Sequence, residues 1–402
     1  MSTNTTSGPS TPAILPGAGE TTLGVVGGGQ LGRMFVHAAQ SMGYFTAVLD
    51  PDPASPAGRV SHHHVHADYM DSDGLARLGN LCSAITTEFE NVPAAALTLL
   101  AAFCPVAPAA AAVAIAQDRA AEKAHFVGCG VPCAPYAVID TAEQLAAVAD
   151  DLLPGILKTT RMGYDGKGQV RVRTRTELGE AWQGLNGVPC VLEKMLPLAA
   201  ECSVIVARGR DGQMVHFPPQ RNLHRDGILA VTEVDASNMP PALAQQAVDA
   251  AKSIASGLQY VGVLCVEFFV LDDGSLVVNE IAPRPHNSGH YTIDACEHSQ
   301  FDLQVRTTMQ LPLPQPRQHS AAIMLNILGD IWFDASGQTR TPPWQAVQHL
   351  SGVHLHLYGK QGVQRKRKMG HITITAASAQ AAQQRAAEVA QALGLPFEPL
   401  PV

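Results

Sequence analysis

The sequence predicts a mixed fold: an N-terminal α/β domain with a parallel sheet, followed by a larger and a smaller α+β unit. Three observations point there. The 402 residues exceed the roughly 250–300 at which a single core stops growing. From Thr22 a strand, a Gly-rich turn, a helix and a second strand succeed one another, which is a βαβ unit. Further on, short strand-like segments and turn dipeptides replace that pattern, and the Pro-rich stretch Leu311–Pro316 sets apart a terminal piece.

Residues 1–20 are rich in Ser, Thr, Pro and Gly and lack a basic or apolar core. They read as a disordered tail and not as a signal peptide. Strand Thr22–Val26 leads into Gly27–Gly32, and helical spacing runs from Met34 to Met42. A second strand, Thr46–Asp50, and a third, Ala84–Thr87, follow. The Ala-rich run Ala94–Ala116 is broken by Pro105 and Pro108, so the first domain is set at 21–113. A helix from about Asp118 to Cys129 opens the second domain, set at 114–315. Its strands are Gly155–Lys158, Val170–Arg173, Val188–Glu193, Glu201–Ala207 and Val263–Leu271, with a helix near Ala242–Ser256. The third unit, 316–402, carries an amphipathic helix at about Ala377–Leu393 that Gly394 and Pro396 stop.

Composition narrows the function. The apolar fraction is 46%, the charged fraction only 15%, and the net charge −8. Nucleic acid is not expected as a partner, although a local basic pocket could still hold one phosphate. The eight cysteines form no CxxC pair and several sit in apolar runs, as buried thiols do in a reducing, cytoplasmic setting. No unbroken apolar run reaches about 18 residues, so no membrane span is expected.

The densest chemistry lies at Val277–His290 (VVNEIAPRPHNSGH). Asp273-Gly274 is a hairpin-turn dipeptide. A two-residue turn there sets Glu267 opposite Glu280, with Cβ atoms roughly 5 Å apart, where like charges repel. A cation between them would relieve that repulsion. Two acidic oxygen ligands, with Arg284 and His286 just beyond, suit Mg2+ bound to a phosphate-bearing substrate.

Other motifs carry weaker signals. Gly27, Gly29 and Gly32 with Asp50 match the GxGxxG dinucleotide fingerprint, yet any tight strand–helix turn near an anion favours such glycines. Gly163–Gln169 has three glycines between two strands, the composition of a flexible phosphate-covering loop. Lys360, Arg365, Lys366, Arg367 and Lys368 form a basic loop suited to a substrate phosphate. The run His62–His63–His64 with His66 reads as surface histidine, and Cys129 and Cys133 as packing residues.

In order along the chain, GGGQLG at Gly27–Gly32, EFENV at Glu88–Val92, QDR at Gln117–Arg119 and GYDGKGQ at Gly163–Gln169 are followed by Asn222–His224, NEIAPRPHNSGHYT at Asn279–Thr292, SQF at Ser299–Phe301 and KMGH at Lys368–His371. This set resembles the N5-carboxyaminoimidazole ribonucleotide synthase family of the ATP-grasp superfamily. The resemblance implies a three-domain ATP-grasp fold: a βαβ (Rossmann-like) domain, a central ATP-grasp domain and a small C-terminal domain. It implies a cytoplasmic homodimeric ligase joining ATP, bicarbonate and 5-aminoimidazole ribonucleotide with Mg2+.

By the same resemblance, Arg119 and Lys158 would meet the ATP phosphates. The loop Gly163, Tyr164, Asp165, Gly166, Lys167, Gly168, Gln169 would close over them. Glu193, Lys194, Met195 and Leu196 would hold adenine, with Glu201 on the ribose and His224 nearby. Glu267 and Glu280 would hold the metal, with Asn279 alongside. Arg284, His286 and Asn287 would grip bicarbonate beside Tyr164 and Asp165, and Gln30, Leu31, Glu88, Lys360 and Arg367 would bind the ribonucleotide. The family's reaction makes carboxyphosphate, which hydrolyses quickly in water, so a solvent-excluding loop and fixed cations matter more than a protein nucleophile. Two alternatives stay open here: another ATP-grasp ligase, such as a formate-dependent glycinamide ribonucleotide transformylase or a biotin carboxylase, and an NAD-dependent oxidoreductase resting on the first glycine turn.

Overall fold

The structure, a computed structural model, describes residues 12–17, 19–161, 163, 168–235 and 238–400. Among these residues three sheets organise the chain. β1 (Thr22–Val26), β2 (Phe45–Asp50), β3 (His63–His66) and β4 (Ala84–Thr87) pair in parallel in the order β3-β2-β1-β4. Every residue of β1 is buried, as in a strand covered on both faces. The helix Gln30–Ser41 turns Leu31, Met34, Phe35, Ala38 and Ala39 inward at helical spacing. Burying Phe35 completely contributes about 2–3 kcal/mol. The histidine run forms edge strand β3, and Thr46 N donates to His62 Nδ1 at 3.1 Å.

The tail expectation is corrected at its inner end. Ile14 packs against the N-terminal core, its N–H donates to Met309 O at 2.9 Å, and its carbonyl accepts from the Tyr44 hydroxyl at 2.8 Å. An apolar side chain in a polar stretch found a surface to bury against. Residues 1–11 and 18 lie outside the described residues.

The second sheet is antiparallel and small: β5 (Tyr136–Ile139), β6 (Gly155–Thr159), β7 (Gln169–Val172) and β8 (Cys190–Lys194), in the order β5-β8-β6-β7. Its own core includes Ile139, Leu157, Val172, Leu178 and Leu192.

The third sheet contains β9 (Leu198–Arg208), β10 (Met214–His216), β11 (Gln220–Arg225), β12 (Ile228–Val234), β13 (Gly262–Leu271), β14 (Leu276–Ala282), β15 (Ala321–Leu328), β16 (Val353–Leu357) and β17 (Lys368–Ala376). Its order is β14-β13-β9-β11-β12-β15-β17-β16, with β10 added to β9. β12 pairs with β15 from Val231↔Leu325 to Val234↔Ala322. The terminal unit therefore extends the central sheet and does not build a separate one. Helix Pro241–Gly257 covers Leu264, Val266 and Phe268 on the central strands, while helix Ala379–Leu393 covers Ile323, Leu325, Ile372 and Ile374.

The β13–β14 hairpin corrects the predicted two-residue turn. Gly274 N donates to Leu271 O and Leu271 N to Ser275 O, so Asp272, Asp273 and Gly274 form a three-residue loop. Gly274 takes φ +80°, which a residue with a Cβ rarely adopts. That loop shifts the register by one residue, and a bulge at Asn279 shifts it back. Phe268 faces Val278, yet Glu267 faces Glu280.

Candidate active site

Glu267 and Glu280 sit as cross-strand partners beside the bulge, and Asn279 is the extra residue on the bulged strand. His286 Nε2 lies 3.2 Å from Glu267 Oε1, and an Arg119 guanidinium nitrogen lies 3.2 Å from Glu280 Oε2. Burial and the facing Glu280 push the Glu267 carboxyl up to about 7. Burial acts on Glu280 too, but Arg119 and Lys158 outweigh it and hold that carboxyl below its usual range. Two carboxylates this close divide into one that ionises easily and one that resists. Oxygen donors that repel each other in this way fit a hard divalent cation, which would ionise both.

The helix Arg119–Gly128 supplies the opposing charges. Asp118 caps it, accepting from Ala120 N and Ala121 N at 3.1 and 3.2 Å. Arg119, Glu122, Lys123 and Phe126 stand at i, i+3, i+4 and i+7 and share one face. Phe126 anchors that face in the core. Lys123 Nζ and Lys158 Nζ both reach Glu193 Oε2, at 3.3 and 3.1 Å, deep in the protein. Burial alone would raise the Glu193 carboxyl, but the Lys158 and Lys123 ammonium groups hold it low. Glu122 Oε1 accepts Ile281 N at 2.8 Å, pinning the backbone directly after Glu280. Burial and the nearby Glu280 push Glu122 up to about 8. Sequence reading missed both Glu122 and Lys123. A charged stripe ending in Phe126 at helical spacing was the available signal.

On the nucleotide side, the amides of Lys194 and Met195 donate to Pro135 O and Pro154 O at 2.9 Å each, which fixes the path of 193–196. Met195 is exposed and Leu196 half-buried. The His224 ring is bonded to the Glu201 carboxylate. Burial lowers the His224 imidazole, but this bond and the acidic neighbours raise it overall. Arg119 Nη2 donates to Gly163 O at 3.2 Å, and Gln169 pairs with Lys158 on β7 and β6. A Cβ at Gly168, where φ is +68°, would stand 2.7 Å from Thr159 Oγ1. The predicted Tyr164, Asp165, Gly166 and Lys167 lie outside the described residues.

On the other side of the acidic pair, the Arg284 guanidinium grips Glu90, with Nε donating to Oε2 at 2.6 Å. Asn287 is buried, and neither of its amide atoms has a partner among the described residues. Orphaned polar atoms at that depth are costly unless a ligand satisfies them. Burial, then the positive Arg284 and Lys368, keep His286 neutral. Gln300, also missed by the sequence reading, frames this segment: it accepts from His286 N at 2.9 Å and donates to His286 O at 2.7 Å.

The glycine turn holds no free anion cradle. Gly28 N donates to Asp50 Oδ2 at 2.6 Å, Gly29 N to Glu88 Oε1 at 2.7 Å, and Gly32 N to Glu88 Oε2 at 3.1 Å. The chain's own carboxylates occupy the place a dinucleotide phosphate would take, which removes the basis of the oxidoreductase alternative. Leu31 is a core residue, while Gln30 is half-buried at the helix start. In the basic loop, Lys360 Nζ donates to Lys368 O at 2.8 Å, and Arg367 donates to Gln361 O and Gly362 O at 2.6 and 2.8 Å. Arg59 donates to Gly359 O at 3.2 Å, tying the loop to the N-terminal domain. The charge on Lys368 is felt at Glu267 and His286, so loop and acidic pair border one space.

Three family models match consecutive parts of the chain: a ribonucleotide synthetase preATP-grasp domain over 20–117, an ATP-grasp domain over 124–301, and a phosphoribosylaminoimidazole carboxylase C-terminal domain over 322–385. The N5-carboxyaminoimidazole ribonucleotide synthase of Brucella melitensis is 42% identical over 90% of this chain and 97% of its own. The chain belongs to the N5-carboxyaminoimidazole ribonucleotide synthase family. It is an ATP-grasp ligase with the three-part fold of that family. The Staphylococcus aureus family member complexed with ADP superposes with a TM-score of 0.85 at 35% identity, covering 95% of this chain and all of that one. The Aspergillus clavatus N5-carboxyaminoimidazole synthase in complex with ADP and 5-aminoimidazole ribonucleotide gives 0.83 at 31% identity, over 93% and 99%. Among the described residues no helix is long and apolar enough to cross a membrane.

Proposed function

We infer that this chain carboxylates 5-aminoimidazole ribonucleotide, using ATP and bicarbonate and releasing ADP and phosphate. The observation that carries the reading is the Glu267–Glu280 pair with Arg119 on one side and His286 on the other. Mg2+ held by the two carboxylates, with Asn279 alongside, would neutralise polyphosphate charge during phosphoryl transfer.

The chain's own residues do the rest. Lys158, aimed by Glu193, and Arg119, aimed by Glu280, direct cations at the phosphates. Glu193–Leu196, Glu201 and His224 line the nucleoside end. Arg284, oriented by Glu90, and Asn287, unpartnered among the described residues, offer donors to bicarbonate. His286 stays neutral, so it can bond either the anion or Glu267 without adding a charge. Phosphorylated bicarbonate collapses beside the exocyclic amine, and Asp165 is the candidate to orient or deprotonate that amine. Gln30, Glu88, Lys360 and Arg367 take the ribonucleotide, the two cations on its phosphate. Glu88 already accepts two backbone amides, so a remaining lone pair is what it offers a ligand. The eight free cysteines agree with a cytoplasmic setting, and a homodimer is the expected state in sedimentation.

ADP release measured with bicarbonate alone, the aminoimidazole ribonucleotide alone, and both together tests the reading. Full turnover should need both. Stimulation by formate in place of bicarbonate would move the chain to the transformylase reaction.

A further inference from the structure

Beneath the carboxylate pair lies a third kind of donor. Cys265 and Glu267 are two residues apart on β13 and so project from the same face. His286 closes over them, and one ligand atom from each of the three lies within 4.8 Å of the others. We propose that Cys265, Glu267 and His286 form an inhibitory site for a soft divalent cation of the Zn2+ class, distinct in chemistry from the oxygen site of Glu267 and Glu280.

The geometry is close to what such an ion needs. Zn–S and Zn–N bonds of ~2.3 and ~2.0 Å set tetrahedral ligand atoms roughly 3.5 Å apart. Glu267 Oε1 and His286 Nε2 are already at 3.2 Å, and the thiol lies within 4.8 Å of both. Ser288 Oγ lies 2.9 Å from His286 Nδ1. Nδ1 also accepts Ser288 N at 3.3 Å, so the ring proton sits on Nε2 facing Glu267 and shifts to Nδ1, where Ser288 Oγ can accept it, when Nε2 binds a metal. Ser288 Oγ is also 4.0 Å from Cys265 Sγ, so one hydroxyl steadies both ligands. A thiolate and an imidazole prefer Zn2+, and neither suits Mg2+. Cys265 is fully buried. On binding, its S–H bond breaks, the S–metal bond forms, and the proton leaves to solvent. Because Glu267 belongs to both sites, the soft ion would displace the catalytic one.

Co2+ serves as the spectroscopic probe and Zn2+ as the inhibitor, with the whole enzyme. Co2+ should give a thiolate-to-metal absorption band in the near ultraviolet. Zn2+ should inhibit ADP release at fixed Mg2+. Cys265→Ala and Cys265→Ser should keep basal turnover, lose the band, and need roughly tenfold or more Zn2+ for the same inhibition. An absent Co2+ band in the parent chain, or unchanged Zn2+ sensitivity in both active variants, would overturn the proposal. The band reads the ligand set even if the carboxylation reading fails, so the two failures are distinguishable.

Discussion

Glu267 faces Glu280 across a hairpin that is one residue out of step at its turn and is put back in step by the bulge at Asn279. The bulge sets Asn279 next to Glu280, whose carboxylate meets Arg119, while Glu267 meets His286. A local kink of this type re-aims side chains at the end of a strand, and here it brings the two carboxylates face to face.

Glu280→Gln keeps the shape of the side chain and removes its charge. Turnover should fall by about 10²–10³-fold, since a preorganised charge that acts on the transferring phosphoryl group is lost. The melting temperature should move little, because the substitution also relieves repulsion with Glu267. Near-normal turnover with Mg2+ would remove the metal from this hairpin.

The pH dependence of metal binding follows from Glu267. Its carboxyl titrates near 7 in the ligand-free chain, so below that pH a proton competes with the cation. Mg2+ affinity should weaken by up to roughly tenfold per pH unit below 7 and level off above it. In the free chain the sign for folding is opposite. A carboxyl raised above its unfolded value favours the folded state at low pH and loses that contribution as pH rises through about 7. Calorimetric titration with Mg-ADP from pH 6 to pH 8.5 checks the first statement, and a flat profile contradicts it.

Lys360→Ala should raise the KM for the aminoimidazole ribonucleotide by about tenfold or more while the KM for ATP changes less than about twofold, as expected for a charge-assisted phosphate contact. Equal losses for both ligands would mean that the basic loop is not a dedicated phosphate pocket.

Lys123→Met tests the buried triad. Glu193 would retain Lys158 but lose half of its compensation, and Lys158 would be drawn more firmly onto it. Stability should fall by about 1–3 kcal/mol, and ATP affinity should fall with it. Denaturant unfolding and ADP titration read the two effects separately. An unchanged unfolding midpoint would show that the pair contributes nothing.

Much of this was legible in the sequence because the signals were local. Strand β1 has the predicted bounds, and the helix after Asp118 starts at its cap. The Glu267–Glu280 pairing was also anticipated, although through two errors that cancel: the loop holds three residues and the bulge absorbs the extra one. Turn dipeptides state that a hairpin bends but do not state how many residues bend it. Lys123 was overlooked for another reason, although its helical spacing to Phe126 was visible. Lysine reads as surface, and only the tertiary placement of Glu193 and Lys158 makes its burial tolerable. The glycine turn was a weak signal from the start, and what fills it could not be read locally, since Asp50 and Glu88 reach its amides from distant parts of the domain's sequence.

The hydrogen bonds between β12 and β15 carry a mechanical consequence. A terminal unit stitched to the centre edge to edge cannot swing away without tearing a continuous ladder, so centre and terminus should melt as one calorimetric event. Any breathing needed to admit substrates then falls to the separate four-stranded sheet β5–β8, which is held through side-chain contacts such as Lys123–Glu193 and whose amides should exchange with deuterium well before those of β12 and β15.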